Sequence, residues 1–175
     1  MKFEFSLTEQ DYIEYQLFTA YSSPRIQKRK KNTWLIYTGV SALLAMYFFR
    51  SDALVMAIFF GILALACAFF YPAYHKWNHR RHYTNFVKDN YKNRVGKSAS
   101  LTFTEDEILS KDETGEAKIN LDQIEELNEI PSHLFLKLKT GPSFILPKET
   151  IDTEKVKTLL AKLNLNTNYY KSSTL

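Results

Sequence analysis

Two uninterrupted apolar segments lie only three residues apart, and this feature restricts the possible folds more than any other. The first, residues 33–49, contains 17 residues without a formal charge, and the second, residues 53–74, contains 22. As helices rising about 1.5 Å per residue, they match the roughly 30 Å hydrocarbon core of a bilayer. Because only Arg50, Ser51 and Asp52 separate them, the two helices must be antiparallel neighbours. The sequence therefore predicts a transmembrane helical hairpin.

Two core helices of a soluble protein are the alternative to a membrane anchor. Charged residues flank both apolar segments and none falls inside them. Buried helices of a soluble protein seldom separate charged and apolar residues so completely along the chain. The distribution favours the bilayer.

Basic residues cluster at the end of the hairpin that faces away from the short turn. They form a predicted membrane-surface patch of Arg25, Lys28, Arg29, Lys30, Lys31, Lys76, Arg80 and Arg81. Trp34, Tyr74 and Trp77 lie at the same end, where amphipathic rings favour headgroup depth. By the positive-inside rule, this end and both termini are cytoplasmic.

Net charge divides the chain and argues against nucleic-acid binding. Residues 1–96 carry 13 Lys and Arg against 6 Asp and Glu, whereas residues 97–175 carry 10 against 13. The basic excess therefore belongs to the membrane-flanking part, and the remaining part is mildly acidic. The expected partners are the lipid bilayer and another membrane or cytoplasmic protein, with homodimerisation a further option and no nucleic acid.

Sequence periodicity outlines the parts on either side of the hairpin. Phe3 and Phe5 alternate with polar residues as in a strand, and Thr8 with Asp11 predicts the start of a helix that ends before Pro24. Tyr12, Tyr15, Phe18 and Tyr21 form an aromatic stripe on that helix, for which core packing is preferred over the membrane surface. From residue 98 the period changes to two and predicts five or six strands. A closing helix then carries its apolar face on Val156, Leu159, Leu160 and Leu163.

The predicted class is α+β: a transmembrane helical hairpin and a small antiparallel β domain capped by a carboxyl-terminal helix. We divide the chain into an amino-terminal strand, helix and basic segment (1–32), the hairpin (33–74), a cytoplasmic helical extension (75–96), the β domain (97–165) and a flexible tail (166–175). The segment 97–175 is expected to fold alone.

The chain resembles the YcxB-like family of bacterial membrane proteins. The resemblance rests on LTEQDY near the amino terminus, the paired apolar segments, and FILPKE followed by a helix. It implies a bacterial cell-membrane protein whose carboxyl-terminal domain is a partly open barrel similar to pleckstrin-homology domains. It supplies no catalytic motif.

Candidate chemistry in the sequence is sparse. His75, His79 and His82 follow helical spacing and could converge on a divalent metal, but the surrounding cations and ordinary interfacial use of histidine disfavour a metal site. The acidic groups at residues 105–107 and 122–129 are interpreted as a solvated face. No nucleophile, phosphate-loop or zinc-protease motif occurs, so we expect neither an enzyme nor a cofactor.

The function predicted from these features is that of a noncatalytic interaction module. The hairpin would hold the β domain at the cytoplasmic surface, where it binds a protein partner or lipid headgroups. The alternative is an accessory or regulatory subunit of a membrane transporter, docked through the small residues of the hairpin. For the basic patch, setting the membrane topology is preferred over binding lipid.

Overall fold

The structure is a computed structural model that describes residues 1–104, 106–113, 115–161, 163 and 165–170. These residues form four α-helices and eight strands, and the class is α+β as predicted. In chain order the elements are β1 (Lys2–Ser6), α1 (Glu9–Ser22), α2 (Pro24–Arg50), α3 (Leu54–Asn90), β2 (Ser98–Phe103), β3 (Glu107–Asp112), β4 (Gly115–Asn120), a 3₁₀ turn (Leu121–Gln123), β5 (Ile124–Glu129), β6 (His133–Leu138), β7 (Ser143–Pro147), α4 (Thr153–Ala161) and β8 (Asn166–Tyr169). They divide into two compact units, a hairpin unit over Thr19–Thr84 and a β unit over Met1–Phe18 and Asn85–Leu175.

A tight turn joins α2 and α3 in the hairpin unit. The Ser51 amide donates to the Tyr47 carbonyl at 3.1 Å, and the Ala53 amide donates to the Phe48 carbonyl at 3.0 Å. Asp52 adopts a φ of 57°, which Asp tolerates better than most residues. These contacts reverse the chain within the three predicted residues.

Side chains along the hairpin confirm that its helices are antiparallel neighbours. Phe48 stacks on Phe60 with ring centroids 5.5 Å apart near the turn. At the other end, the Trp34 indole donates to the Ala68 carbonyl at 3.4 Å. In each helix, only 6% of the most apolar 18-residue window is buried. A core helix of a soluble protein would be mostly buried, whereas these two are long and apolar enough to cross a membrane and are not covered by this chain.

Both helices extend beyond their apolar segments. Helix α2 begins at Pro24, whose ring suits the first helical turn. Ser23 before it is extended, so α1 ends before Pro24 as the sequence predicted. Helix α3 continues through Pro72 to Asn90. It therefore ends before the predicted limit of the extension at residue 96, and Gly96 then turns the chain with a φ of 76°.

The β unit contains two open four-stranded sheets, in the orders β1-β2-β3-β4 and β7-β6-β5-β8. Strand β1 pairs antiparallel with β2, with Lys2 opposite Thr102. The amino-terminal strand, which we had separated from the β domain at residues 1–32, is thus an edge strand of that domain. The likeness to a pleckstrin-homology domain stays a prediction.

The main core lies between the sheets and α4. Its fully buried members include Leu134, Leu136, Leu146 and Val156. Leu160 is also buried, while Leu159 and Leu163 pack against the core from partly exposed positions. The closing helix and its apolar face are therefore confirmed for Val156, Leu159 and Leu160, whereas Leu163 follows the end of α4 at Ala161.

Strand β6 is buried on both faces, because α1 covers the side opposite the main core. Phe135 is fully buried and stacks on Phe18 with ring centroids 4.7 Å apart. Tyr15 contacts the same ring at 5.5 Å. Tyr12 contacts Tyr91 at 4.7 Å. Core packing of the aromatic stripe is thus confirmed for Tyr12, Tyr15 and Phe18. The segment 97–175, which we expect to fold alone, does not include α1, the helix that covers Phe135.

Strand β8 replaces part of the predicted flexible tail. It pairs parallel with β5, from Glu126 opposite Asn166 to Glu129 opposite Tyr169, so the second sheet is mixed. The Asn168 amide donates to Glu126 at 2.9 Å and to Asn128 at 3.1 Å. Such polar pairing leaves no apolar alternation for sequence analysis to detect. Residues 171–175 of the predicted tail lie outside the described residues.

Gly141, in the turn between β6 and β7, has a backbone conformation that a residue with a side chain adopts only with strain. Its φ of 107° is unfavourable for L-residues, although no atom lies within 4 Å of an added Cβ. Gly141→Ala should therefore lower the free energy of unfolding by about 1–2 kcal/mol through backbone strain alone. Urea-dependent pulse proteolysis of the full chain in nanodiscs measures this loss. An equal loss in Thr140→Ala, at the exposed neighbouring position, would contradict the explanation.

Candidate functional site

A basic collar surrounds the end of the hairpin away from the turn. It consists of the predicted patch residues Arg25, Lys28, Arg29, Lys30, Lys31, Lys76, Arg80 and Arg81. Five of them occupy the first two turns of α2, and three lie on α3 just after its apolar segment. The structure therefore places the whole patch on helices of one unit.

Within the described residues, none of the collar cations forms an ion pair with an acidic side chain. The hairpin unit contains a single acidic residue, Asp52, at the opposite end in the turn. In contrast, most lysines of the β unit are paired, as in Lys97 with Glu113 at 2.9 Å and Lys118 with Glu107 at 2.8 Å. The collar is thus a concentrated positive charge that the described chain does not neutralise.

Aromatic side chains lie among the collar cations. Tyr74 and Trp77 contact one another with ring centroids 6.2 Å apart. The Arg81 guanidinium lies 5.5 Å from the Trp77 ring, a cation–π distance. Trp34 is tied to the α3 backbone by its indole N–H. The combination of exposed cations and amphipathic rings is the one expected at a headgroup layer.

A groove of about 250 Å³ opens between α2 and α3 within the collar. Its lining residues are Gln27, Lys30, Lys31, Trp34, Tyr71 and Pro72. The sequence indicated the two lysines and Trp34. It did not indicate that Gln27, Tyr71 and Pro72 meet them, because that depends on the register between two helices.

The three histidines considered for a metal do not form one site. His75 and His79 stack with ring centroids 4.1 Å apart. His82 instead packs edge-on against Tyr83 at 5.3 Å. Among the described residues, no group of three His, Cys, Asp or Glu is placed to hold a metal ion. The i, i+4 spacing of His75 and His79, which suggested convergence on a metal, places the two rings in a stack because side chains at these positions lie over one another.

A second polar cluster fastens α1 to the β5–β6 turn of the β unit. The side chain of His133 is 5% exposed, with Nε2 2.9 Å from Asp11 Oδ1. Its Nδ1 lies 2.8 Å from Ser132 Oγ and 3.1 Å from Glu14 Oε2. Ser132 donates its hydroxyl proton to Glu14 at 2.6 Å. Both ring nitrogens of His133 are thus engaged by α1 or by Ser132.

Electrostatics favour the imidazolium form of His133. Burial alone would lower the pKa of His133, but the hydrogen bonds to Glu14 and Asp11 outweigh it and raise that pKa. In return, the hydrogen bond from His133 is the main cause that lowers the pKa of Glu14 to about 2. A histidine that retains its proton is a poor general base. The hydroxyl proton of Ser132 is already donated to Glu14 in a hydrogen bond. The cluster therefore suits fastening a helix rather than nucleophilic attack.

Glu129 is the exception among the acidic residues that we interpreted as a solvated face. It is buried at 8% exposure, with Lys148 Nζ 2.7 Å from Oε1 and Lys157 Nζ 2.8 Å from Oε2. Burial opposes ionisation, yet the two lysine hydrogen bonds prevail and lower the pKa of Glu129. The triad joins β5, α4 and the residue after β7, and is structural. Glu105 lies outside the described residues.

Comparison with known proteins agrees with the resemblance of the β domain. Residues 103–163 match the family model described as YcxB-like protein. No curated protein matches the chain significantly. The match runs from the end of β2 through α4 and includes the FILPKE segment that supplies Lys148. Residues 103–163 of the β unit are therefore similar to the YcxB-like family.

Proposed function

We propose that this protein is a two-pass, noncatalytic anchor that holds its YcxB-like domain at the cytoplasmic face of a bacterial cell membrane. The observation that carries the proposal is the unneutralised basic collar at one end of an exposed apolar hairpin. At the other end, only a short turn with Arg50 and Asp52 remains, and those opposite charges offset one another. By the positive-inside rule, the collar end is cytoplasmic, together with both termini.

The anchored domain would act by binding rather than by chemistry. Confinement to the membrane raises the effective concentration of a domain toward partners at the same surface. The collar suits anionic headgroups, and exposed sheet edges such as β4 suit a protein partner.

Cysteine accessibility in intact cells tests this topology. With the native Cys67 replaced by serine, single cysteines at Ser22, Ser51 and Ser110 report the collar end, the turn and the β unit. We expect a membrane-impermeant maleimide added outside the cells to label only Ser51→Cys. Labelling of Ser22→Cys and Ser110→Cys instead would show that the topology is inverted. Labelling of none of the three variants, with the protein recovered in the cytosolic fraction, would overturn the anchor.

A further inference from the structure

We propose that the collar groove lined by Lys30, Lys31, Trp34 and Tyr71 binds the phosphate and glycerol of one anionic phospholipid molecule. This inference rests on the membrane anchoring proposed above and assigns it a discrete lipid site. The groove lies wholly within the hairpin unit. It is bounded by the first turns of α2 and by Tyr71 and Pro72, near the point where the apolar segment of α3 ends. It is smaller than the roughly 300–1,000 Å³ of sites for drug-sized ligands. A lipid headgroup is a fragment of suitable size.

Charge complementarity identifies the ligand as an anion. Lys30 and Lys31 form no ion pair among the described residues, so their ammonium groups remain available to phosphate oxygens. Lys30 lies 5.9 Å from the centre of the Tyr21 ring, a contact that restricts its side chain while leaving its charge unpaired. Gln27 is held by a 2.8 Å hydrogen bond from its amide nitrogen to the Tyr21 carbonyl. The polar wall of the groove is therefore partly ordered before a ligand arrives.

The apolar surroundings identify the anion as a lipid rather than a free phosphate. Trp34 on α2 and Tyr71 and Pro72 on α3 supply the aromatic and aliphatic part of the lining. One helical turn beyond Lys31, Leu35 is 50% exposed. A phosphate held at the lysines would place the attached acyl chains along this apolar surface. Free phosphate would gain nothing from it, whereas each buried methylene of a lipid adds to affinity.

Native mass spectrometry of the full chain in detergent, titrated with phosphatidylglycerol or phosphatidylcholine, tests the site. The test variant is Lys30→Gln with Lys31→Gln. The matched control, Lys28→Gln with Lys76→Gln, removes the same two charges from the collar outside the groove. We expect the chain to bind its first phosphatidylglycerol more tightly than phosphatidylcholine. The test variant should lose roughly thirtyfold of that affinity, since each lysine contributes about fivefold, and the control should lose clearly less.

Three results would overturn the inference. Equal losses in both double variants would mean that the collar attracts anionic lipid without a discrete site. Equal binding of the two lipids by the unsubstituted chain would remove the headgroup specificity. Displacement of phosphatidylglycerol by millimolar glycerol 3-phosphate would assign the groove to a soluble phosphate. None of these results would change the cysteine-labelling pattern, so a failed lipid site is distinguishable from a failed anchor.

Discussion

Replacing Phe135 with alanine is expected to lower the free energy of unfolding of the β unit by about 3–5 kcal/mol, the range for truncation of a buried Phe. Phe135 is fully buried, and its ring stacks on Phe18 and contacts Tyr15 of α1. Truncation would remove both contacts and leave a cavity beneath α1. Because small domains are stable by only about 5–15 kcal/mol, this loss would remove a large fraction of the stability of the β unit.

Pulse proteolysis in urea, with the full chain in nanodiscs, measures the effect. Phe135→Leu retains most of the volume and should lose much less stability. Leu109→Ala is the surface control, because Leu109 is 40% exposed on the other sheet. A loss in Phe135→Ala no larger than that of Leu109→Ala would show that α1 does not pack on β6.

Replacing His133 with alanine is expected to lower the free energy of unfolding by about 3–5 kcal/mol, the usual loss when one partner of a buried charge cluster is removed. The carboxylates of Asp11 and Glu14, with side chains 15% and 28% exposed, would lose the cation between them. The amino-terminal half of α1 should then separate from the β5–β6 turn. Amide hydrogen exchange along α1 would detect this loss directly.

The same cluster predicts how stability depends on pH. Because folding raises the pKa of His133 above 6.5, its contribution is complete below about pH 6.5 and is lost as the pH rises through the folded-state pKa. Folding lowers the pKa of Glu14 from 4.5 to about 2, so its contribution is complete above about pH 4.5 and is lost as the pH falls toward 2. Both contributions are therefore complete between about pH 4.5 and 6.5.

Urea midpoints measured from below pH 4.5 to well above pH 6.5 test the assignment. His133→Ala should remove the decline on the alkaline side, whereas His82→Ala, at an exposed position on α3, should keep it. An unchanged alkaline decline in His133→Ala would assign the titration to another group.

The sequence predicted those features that depend on local pattern. The uncharged runs with Ser51 and Asp52 between them defined the hairpin, and Pro24 marked the break that ends α1. The Thr8–Asp11 cap is present, with the Thr8 amide donating to Asp11 Oδ2 at 2.7 Å. Val156 and Leu160 defined the closing helix. In each case the determining residues lie in one continuous stretch of the chain.

Features that depend on distant pairing were not predictable from pattern. The partner of β1 lies beyond the hairpin, and the parallel pairing of β8 is carried by polar residues such as Asn168. From the sequence, His133 looks like a turn residue. Its role depends on the contact with Asp11, which lies 122 positions away in the chain. The collar itself was predicted from charge, but its groove depends on which residues of α3 face Lys30 and Lys31.

The pairing in the first sheet also restricts when the β unit can assemble. Strand β1 emerges from the ribosome before both apolar helices, while its partner β2 emerges after them, and the Met1 ammonium group donates to the Phe103 carbonyl 102 positions along the chain. The sheet therefore cannot be completed until the hairpin has been translated. During that interval the nascent amino-terminal strand has an unpaired edge, and chaperones acting on the emerging chain would meet it in that form.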